Sequence, residues 1–423
     1  MRRHTPAYAL FGEARFIAEM NQAGRFKGGK PMNPHIANSG IAVKAKVFPY
    51  DYWHDRYQEY YQAGLALYLS FIGLKLQRTP PADFSTLLKL LRRMRDAGSL
   101  HHLLRDHSEI VMKHIDRLAR YAGAEYRPAS SLVGEYLFWP DSKRSITMCI
   151  DSHDSGTVTN PTLLETSDIY VKTNYWEDTC DPRVIPFFNC NPIVLPYISK
   201  LKAMRNQQSL YDFCFIVRVW GGKTGTDGVE HCIQLLEALA KVRAKKFLLA
   251  ELVVGDTSEQ ARRLRSSGIP TTTRRLPLND LWDIAATSRV NVFRLGNHQC
   301  LSWRMTDLFA LGACIALDQE PKTQWPVPLV HNQHYCSLGA TTSYDEPVAT
   351  VDQYGAIPDR LEELLRDGQR HADMRRQTAE YFDQYLHPFR IGEQLYDMVM
   401  ARYSIQTGAH ACVPESDYAF ALR

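Results

Sequence analysis

V-N-V-F-R-L-G-N-H-Q-C-L-S-W-R-M-T-D-L-F-A-L-G-A-C-I-A-L-D-Q-E, residues 290–320, is the stretch whose reading decides the fold. A short β-branched strand from Val290 runs into a Gly/Asn/His loop. Trp303 to Leu311 then carry apolar residues at helical spacing, Gly312 stops that helix, and Ile315 to Leu317 open another strand. The product is a β-loop-α-β unit. Ser302 and Arg304 fall at the start of its helix, where a hydroxyl, a fixed positive charge and free backbone N–H groups would converge on an anion. Asp307 lies one turn beyond Arg304 on the same face, placed to accept from a ligand's hydroxyls. The same spacing also suits a plain helix start, with Ser302 as N-cap and Arg304 paired to Asp307 at i,i+3.

The unit does not stand alone. Upstream of it, Tyr211 to Val219 reads as a buried strand, Gly221 to Gly228 as a glycine-rich loop and Val229 to Val242 as a helix. Strand Phe247 to Val254, helix Ser258 to Ser266, the Thr271-Thr272-Thr273 segment and helix Asn279 to Ala286 follow. Strands alternating with helices at this spacing predict a parallel, doubly wound sheet. Gly221-Gly222-Lys223-Thr224 has the ending of a P-loop, but the full pattern needs a glycine at 217 and Val217 stands there. Downstream, Asp352 to Pro358 leads into an amphipathic helix from Asp359 to Asp367, then a long one from Ala372 to Leu386. After His387-Pro388 a last helix runs from Ile391 to Tyr403.

Earlier in the chain, a strand from Ser145 to Ile150 ends in Asp151-Ser152-His153-Asp154-Ser155-Gly156, and a second spans Ile169 to Lys172. Open α/β sheets place ligands at such polar strand ends. Prolines 182, 186, 192 and 196 suppress regular structure between Asp181 and Pro196, which reads as an interdomain linker. Asp51 to Leu76 is mostly helical and opens on the aromatic cluster Tyr50 to His54, which suits either a sugar-stacking floor or ordinary packing. Two basic amphipathic helices are predicted at Ala82 to Asp96 and Asp106 to Tyr121.

Composition is that of a globular chain, and 423 residues predict two or three domains. No apolar run reaches the roughly 18 residues of a spanning helix, and Met1-Arg2-Arg3-His4 opens no signal-peptide core, so the expected compartment is the cytoplasm. Nine cysteines without a C-x-x-C pair argue against a disulfide framework or structural zinc site. The net charge of +4 is uneven: residues 1–130 hold 20 Lys and Arg against 11 Asp and Glu, leaving the remainder acidic. That basic third is either a solvated surface or a peripheral contact with an anionic membrane face, and no aromatic-basic interleaving suggests nucleic acid.

On Ser302, Arg304, Asp307, Ala310 and Gly312 the chain resembles the C-terminal half of GT-B glycosyltransferases, most closely the exostosin-like branch. The resemblance implies an α/β protein of GT-B type, two Rossmann-like domains facing across a cleft. They would be an acceptor-binding domain at 1–196, a nucleotide-sugar-binding domain at 197–386, and a terminal helix and tail at 387–423 crossing back. It implies donor contacts from Arg218, Lys223, His298, Ser302, Arg304 and Asp307, with no cofactor and no metal. Many retaining relatives pair two glutamates seven residues apart; Asp307 stands for the second, but Gln299 for the first, which favours inversion. Partners would be a nucleotide-sugar donor and a glycan or lipid-linked acceptor. An inverting transfer needs a base from the first domain, with Asp151, His153 and Asp154 as candidates and Asp51 and His54 in reserve. The same Asp151, His153 and Asp154 would centre the competing reading, a metal-dependent hydrolase; a non-catalytic sugar-binding module is the third.

Overall fold

The computed structural model describes residues 43–46, 55–74, 76–78, 133–141, 143–176, 181, 183–219, 228–253, 255, 257–296, 299–343 and 345–408. The basic helices expected at Ala82 to Asp96 and Asp106 to Tyr121, and Asp51, His54, Lys223 and His298, lie outside the described residues.

Twelve strands form two six-stranded sheets. The first takes β1 (Val43–Lys46), β2 (Leu76–Arg78), β3 (Val133–Phe138), β4 (Ile146–Asp151), β5 (Ile169–Lys172) and β6 (Val184–Pro186), in the order β2-β1-β3-β4-β5-β6. Strands β4, β5 and β6 are parallel, but β3 runs antiparallel to both of its neighbours. The proline-rich segment expected to be a linker therefore contributes an edge strand, where a proline without an N–H costs no ladder bond. It continues into a 3-10 turn, Pro192–Tyr197, capped by Asn191.

The second sheet takes β7 (Tyr211–Val219), β8 (Lys246–Leu252), β9 (Thr271–Thr272), β10 (Ser288–Phe293), β11 (Ile315–Leu317) and β12 (Cys336–Ser337), all parallel, in the order β12-β11-β10-β7-β8-β9. From the central β7 the chain steps outward to β8 and β9, then returns to the other side of β7 for β10, β11 and β12. Strand order reverses between β7 and β10, and ligands of open α/β sheets bind in the crevice outside the strand ends at such a point.

Helices α1 (Asp55–Phe71), α2 (Pro161–Thr166) and α3 (Ile198–Ala203) precede this sheet, and α4 (Val229–Ala240), α5 (Glu259–Ser266), α6 (Leu278–Ala286) and α7 (Met305–Ala310) connect its strands. Cys232, Leu235, Leu236 and Leu239 give α4 one apolar stripe, buried with Phe213, Phe215 and Val217 of β7. Thr350 and Gln353 form a capping box at the start of α8 (Val351–Arg366). Pro358, expected to precede a helix, lies inside it, where loss of one N–H is tolerated because Ile357, Leu361 and Leu364 anchor the buried face. Helix α9 (Gly368–Tyr381) loosens into a π-turn at Phe382–Leu386 before α10 (Pro388–Thr407).

Helix α10 returns to the first sheet. It crosses α1, Tyr403 donates to Asp141 at 2.6 Å, and the Gln406 carbonyl accepts from Arg144 at 2.8 Å. One apolar cluster runs from Tyr136, Met148 and Ile150 through Leu65 and Leu395 to Phe309 and Leu317, joining both lobes. Two Rossmann-like α/β lobes with the last helix packed on the first constitute a GT-B architecture, with a mixed first sheet. Among the described residues no helix is long and apolar enough to cross a membrane.

On α10, burial and then Glu393 one turn away push Asp397 up to about 7. A carboxyl raised in the fold favours folding fully below the ordinary Asp range, and that contribution is lost as pH climbs toward about 7. Asp397→Asn should therefore raise Tm at pH 8 relative to the parent and leave it nearly unchanged at pH 4, as a pair of melting curves will read.

Candidate active site

Two arginines stand at the strand-order reversal. Arg218, next to last in β7, is partly exposed, and its Nε lies 3.9 Å from Glu251 Oε2, its register partner on β8. Burial and then the neighbouring Arg275 pull its guanidinium pKa down. Glu251 is itself fixed, because Oε1 accepts from the Leu276 N–H at 2.7 Å. Arg294 follows β10 immediately, and its guanidinium lies against Gly228: a Cβ there would come within 2.2 Å of Arg294 Nη2. Gly228, at φ +63°, is the N-cap of α4 and offers no side chain to its first N–H groups. A glycine is required twice over, for the left-handed backbone and for the arginine. Among the described residues Arg294 forms no ion pair. A guanidinium with no ion pair among the described residues thus meets a helix N-terminus that no side chain caps, the local chemistry of an anion site.

The loop behind Arg294 is held from below. Asp318, directly after β11 and fully buried, accepts from the Leu295 N–H at 3.0 Å and the Gln319 N–H at 3.1 Å. Its other oxygen meets His231 Nε2 at 2.7 Å, while Tyr354 lies 2.6 Å from His231 Nδ1. Because the Tyr354 oxygen already accepts from the Ala349 N–H, its proton goes to Nδ1, which leaves Nε2–H to donate to Asp318. This chain ties α4 and α8 to the end of β11.

The residues expected to gather at α7 also shape its first turn. Ser302 Oγ accepts from the Arg304 N–H at 3.4 Å and shapes the turn before the helix, and Arg304 takes the N-cap position. All six residues of α7 are buried. Asp307 is only 3% exposed; it accepts from Asn191 Nδ2 at 2.6 Å and from Trp282 Nε1 at 2.9 Å. Burial raises its pKa against the opposing charge of Arg304 and these two donors. The donor contact expected of Asp307 is corrected: both oxygens are buried and already bonded, and the carboxylate clasps the interlobe segment to the second lobe. Asp307→Ala would orphan two buried donors and cost about 2–3 kcal/mol, measurable by urea unfolding, whereas Asp307→Asn should cost less.

In the first lobe, Asp151 is fully buried. Tyr170 and Thr159 hydroxyls donate to Oδ2 at 2.7 and 2.8 Å, and Lys172 Nζ and the His153 N–H donate to Oδ1 at 3.2 and 3.0 Å. A carboxylate so occupied cannot serve as a base, and that candidacy is corrected. Lys172 is its register partner on β5, and burial pulls the ammonium pKa down while Asp151 pulls it up. His153 Nδ1 accepts from the Ser155 N–H at 3.0 Å, which places the neutral ring's proton on Nε2 and removes that nitrogen as an acceptor. Among the described residues, Asp151, His153 and Asp154 form no group able to hold a metal, so the hydrolase reading loses its centre.

Asp154 differs from both: it is exposed, and its charge acts on Cys300 of the second lobe. Burial and then Asp154 push Tyr57 of α1 up to about 12, and the same two causes, in the same order, raise the Cys300 thiol. Tyr57 and Trp303 rings lie 5.2 Å apart. Asn189 Nδ2 donates to the Leu301 carbonyl at 3.0 Å, and Gln324 N–H to the Tyr175 carbonyl at 2.9 Å. The polar ends of β4 and β5 are therefore turned toward the loop after β10.

No protein-family profile and no curated protein matches the sequence. Solved structures resemble it in part. The C-terminal domain of a group 1 family glycosyl transferase (LpcC) from Francisella tularensis is 13% identical over 44% of this chain and 91% of that one, TM-score 0.29. HepE from Anabaena, in complex with UDP and glucose, is 11% identical over 56% of this chain and 65% of its own, TM-score 0.36. MurG from Acinetobacter baumannii is 11% identical over 60% and 66%, TM-score 0.31. These are loose likenesses of fold, and the chemistry rests on the site itself.

Sequence reasoning passed over Arg294, although it directly follows V-N-V-F in the quoted stretch. The signal available was a lone charge at the end of a buried strand. Gln299 carries another: its φ of +57° is unusual for a non-glycine residue, and it holds the loop that returns the chain to Cys300.

Proposed function

We propose that this chain is a glycosyltransferase, transferring a sugar from a nucleotide-diphosphate-sugar to a hydroxyl of a glycan or lipid-linked acceptor, with inversion and without a metal. The observation that carries the reading is Arg294, without an ion pair among the described residues, against an N-terminus of α4 that no side chain caps, at the strand-order reversal. With Arg218 on the adjacent strand it would neutralise the charge that grows on a departing diphosphate. Lys223, in the intervening glycine-rich loop, adds a third cation to this assignment, and His298, Ser302 and Arg304 are the remaining donor-side candidates. Asp154, across the lobe junction, takes the proton of the acceptor hydroxyl as its oxygen attacks the anomeric carbon from the face opposite the diphosphate. Exclusion of water between the lobes would protect the donor from hydrolysis.

A thermal-shift panel of UDP-, GDP-, CMP- and dTDP-sugars tests this. One donor should stabilise the parent protein, and Arg294→Ala should weaken that donor roughly 10- to 100-fold, the worth of a charge-assisted contact. Equal stabilisation of parent and variant would remove the site assignment, and no response to any nucleotide would remove the function.

A further inference from the structure

Aromatic rings and carboxylates gather where α1 and α10 cross, away from the lobe junction. Phe389, Glu393, Tyr396 and Asp397 recur at i, i+4, i+7 and i+8, so they share one face of α10. Tyr68 of α1 meets that face: its ring lies 5.5 Å from Phe389, edge-on, and 5.6 Å from Tyr396. Phe71, one turn further along α1, meets Phe389 edge-on at 5.3 Å. Phe71 is 65% exposed and Tyr68, Glu393 and Asp397 are half-buried, so the cluster opens on solvent. Tyr68 stands three turns, about 16 Å, along α1 from Tyr57 at the junction.

The polar groups of this cluster are incomplete. Among the described residues the Asp397 carboxyl has no hydrogen bond and no ion pair. The Tyr396 hydroxyl is buried without a hydrogen-bond partner, in a residue 5% exposed. Burial and then Asp397 push the Tyr396 phenol up to about 12, and burial, then Asp397 and Glu393, raise Tyr68, so both phenols stand against the carboxylates. The cation beside them, Arg390, donates to Glu393 at 2.6 Å and lies 5.9 Å from the centre of the Phe389 ring. It neutralises Glu393 and leaves Asp397 as the uncompensated charge. A carboxylate drawn out of water without a partner costs stability, and folding alone does not explain it. Carboxylate and phenol oxygens accept hydrogen bonds, and ring faces attract positive charge. A metal ion would want further acidic or imidazole ligands, and among the described residues no such group forms. An alkylammonium matches the whole set, with N–H donors for the oxygens, a cation for the rings and an apolar stem for Phe71. We infer that Asp397, Tyr396 and Tyr68 bind a primary alkylammonium group at the α1–α10 seam. The site is separate from the donor contacts at Arg218 and Arg294 and does not rest on the glycosyltransferase reading.

The test uses the full chain at about pH 8.5, where Asp397 is ionised and an alkylammonium keeps its proton. Ligand-observed NMR titrations would use n-butylammonium and Nα-acetyl-lysine amide as cationic probes, 1-butanol as the neutral isostere and sodium chloride at matched ionic strength as a screening control. The parent should bind both cations in preference to butanol, and n-butylammonium should raise its Tm. Asp397→Asn should weaken n-butylammonium roughly tenfold and abolish that rise, and Tyr396→Phe should weaken it roughly threefold. Without amine neither variant should melt below the parent, because each loses a group that the fold leaves unpaired, so lost binding is not lost structure. Tighter binding of the lysine amide than of butylammonium upholds the site with a protein partner's lysine as the source, and equal binding upholds it with a free amine. Butanol binding as tightly as butylammonium overturns the site, as does an equal Tm rise with sodium chloride alone or no binding by the parent. Affinity within twofold of the parent in both variants overturns it too, as does a lowered Tm in Asp397→Asn, which would show the carboxyl paired within the chain.

Discussion

Gly392→Val should destabilise the protein by about 3 kcal/mol or more. Helices α1 and α10 cross backbone to backbone: a Cβ on Gly392 would stand 2.0 Å from the Gly64 carbonyl oxygen and 2.8 Å from the Leu65 nitrogen, and one on Gly64 would stand 2.5 Å from the Pro388 oxygen. These are main-chain atoms with no rotamer to yield, so the helices must part. Parting exposes a seam lined by Leu65, Leu69, Ile391, Leu395 and Val399, and with it the attachment of the last helix to the first lobe. Overpacking of a flexible core costs about 1–3 kcal/mol; against backbone the cost lies at or above the upper end. For a chain of this size that lowers Tm by roughly 3–4 °C or more, out of a total stability on the order of 5–15 kcal/mol. Gly355→Ala gives a control of opposite sign, because Gly355 lies within α8 with no atom within 4 Å of a built Cβ. That change should stabilise by about 0.5–1 kcal/mol through helix propensity. A Gly392→Val protein that melts with the parent would show that α10 does not seat on α1 as described.

The crossing was not legible in the sequence, because glycine in a helix pattern gives no sign of what approaches it. The second lobe was legible, since buried parallel strands are rich in apolar and β-branched residues, as Tyr211–Val219, Lys246–Leu252 and Ser288–Phe293 are, and each is followed by a helix. The first lobe hid β3: Val133–Phe138 is short, and its antiparallel pairing with β1 is long-range. At the site the errors have one cause. Helical spacing puts Arg304 and Asp307 on one face but does not say whether that face is wet, and α7 turned out to be buried on every side. Asp151 looked free because its counterion lies 21 residues away, and only the β4–β5 register makes Lys172 its neighbour. Arg294 needed the strand order itself, which assigns value to one end of one gap between strands.

The difference between a fully buried carboxylate and an exposed one separates Asp151 from Asp154 in an experiment. Asp154→Ala should fold and melt like the parent, within about 0.5 kcal/mol, because the residue is exposed. With the donor found in the panel and an accepting glycan, its kcat should fall roughly 10²- to 10⁴-fold, the usual worth of a positioned base, while donor binding is retained. Asp151→Asn predicts the reverse order of events. It breaks a buried pair and leaves the Lys172 ammonium without its counterion, a change that costs about 3–5 kcal/mol. Activity is then lost in proportion to folded protein and recovers on a per-folded-molecule basis. Stopped-assay rates normalised to the folded fraction distinguish the two, because only removal of the proton acceptor slows a correctly folded enzyme. Full turnover by Asp154→Ala would mean that the acceptor's proton leaves by another route and that the turn after β4 serves only to close the lobe junction.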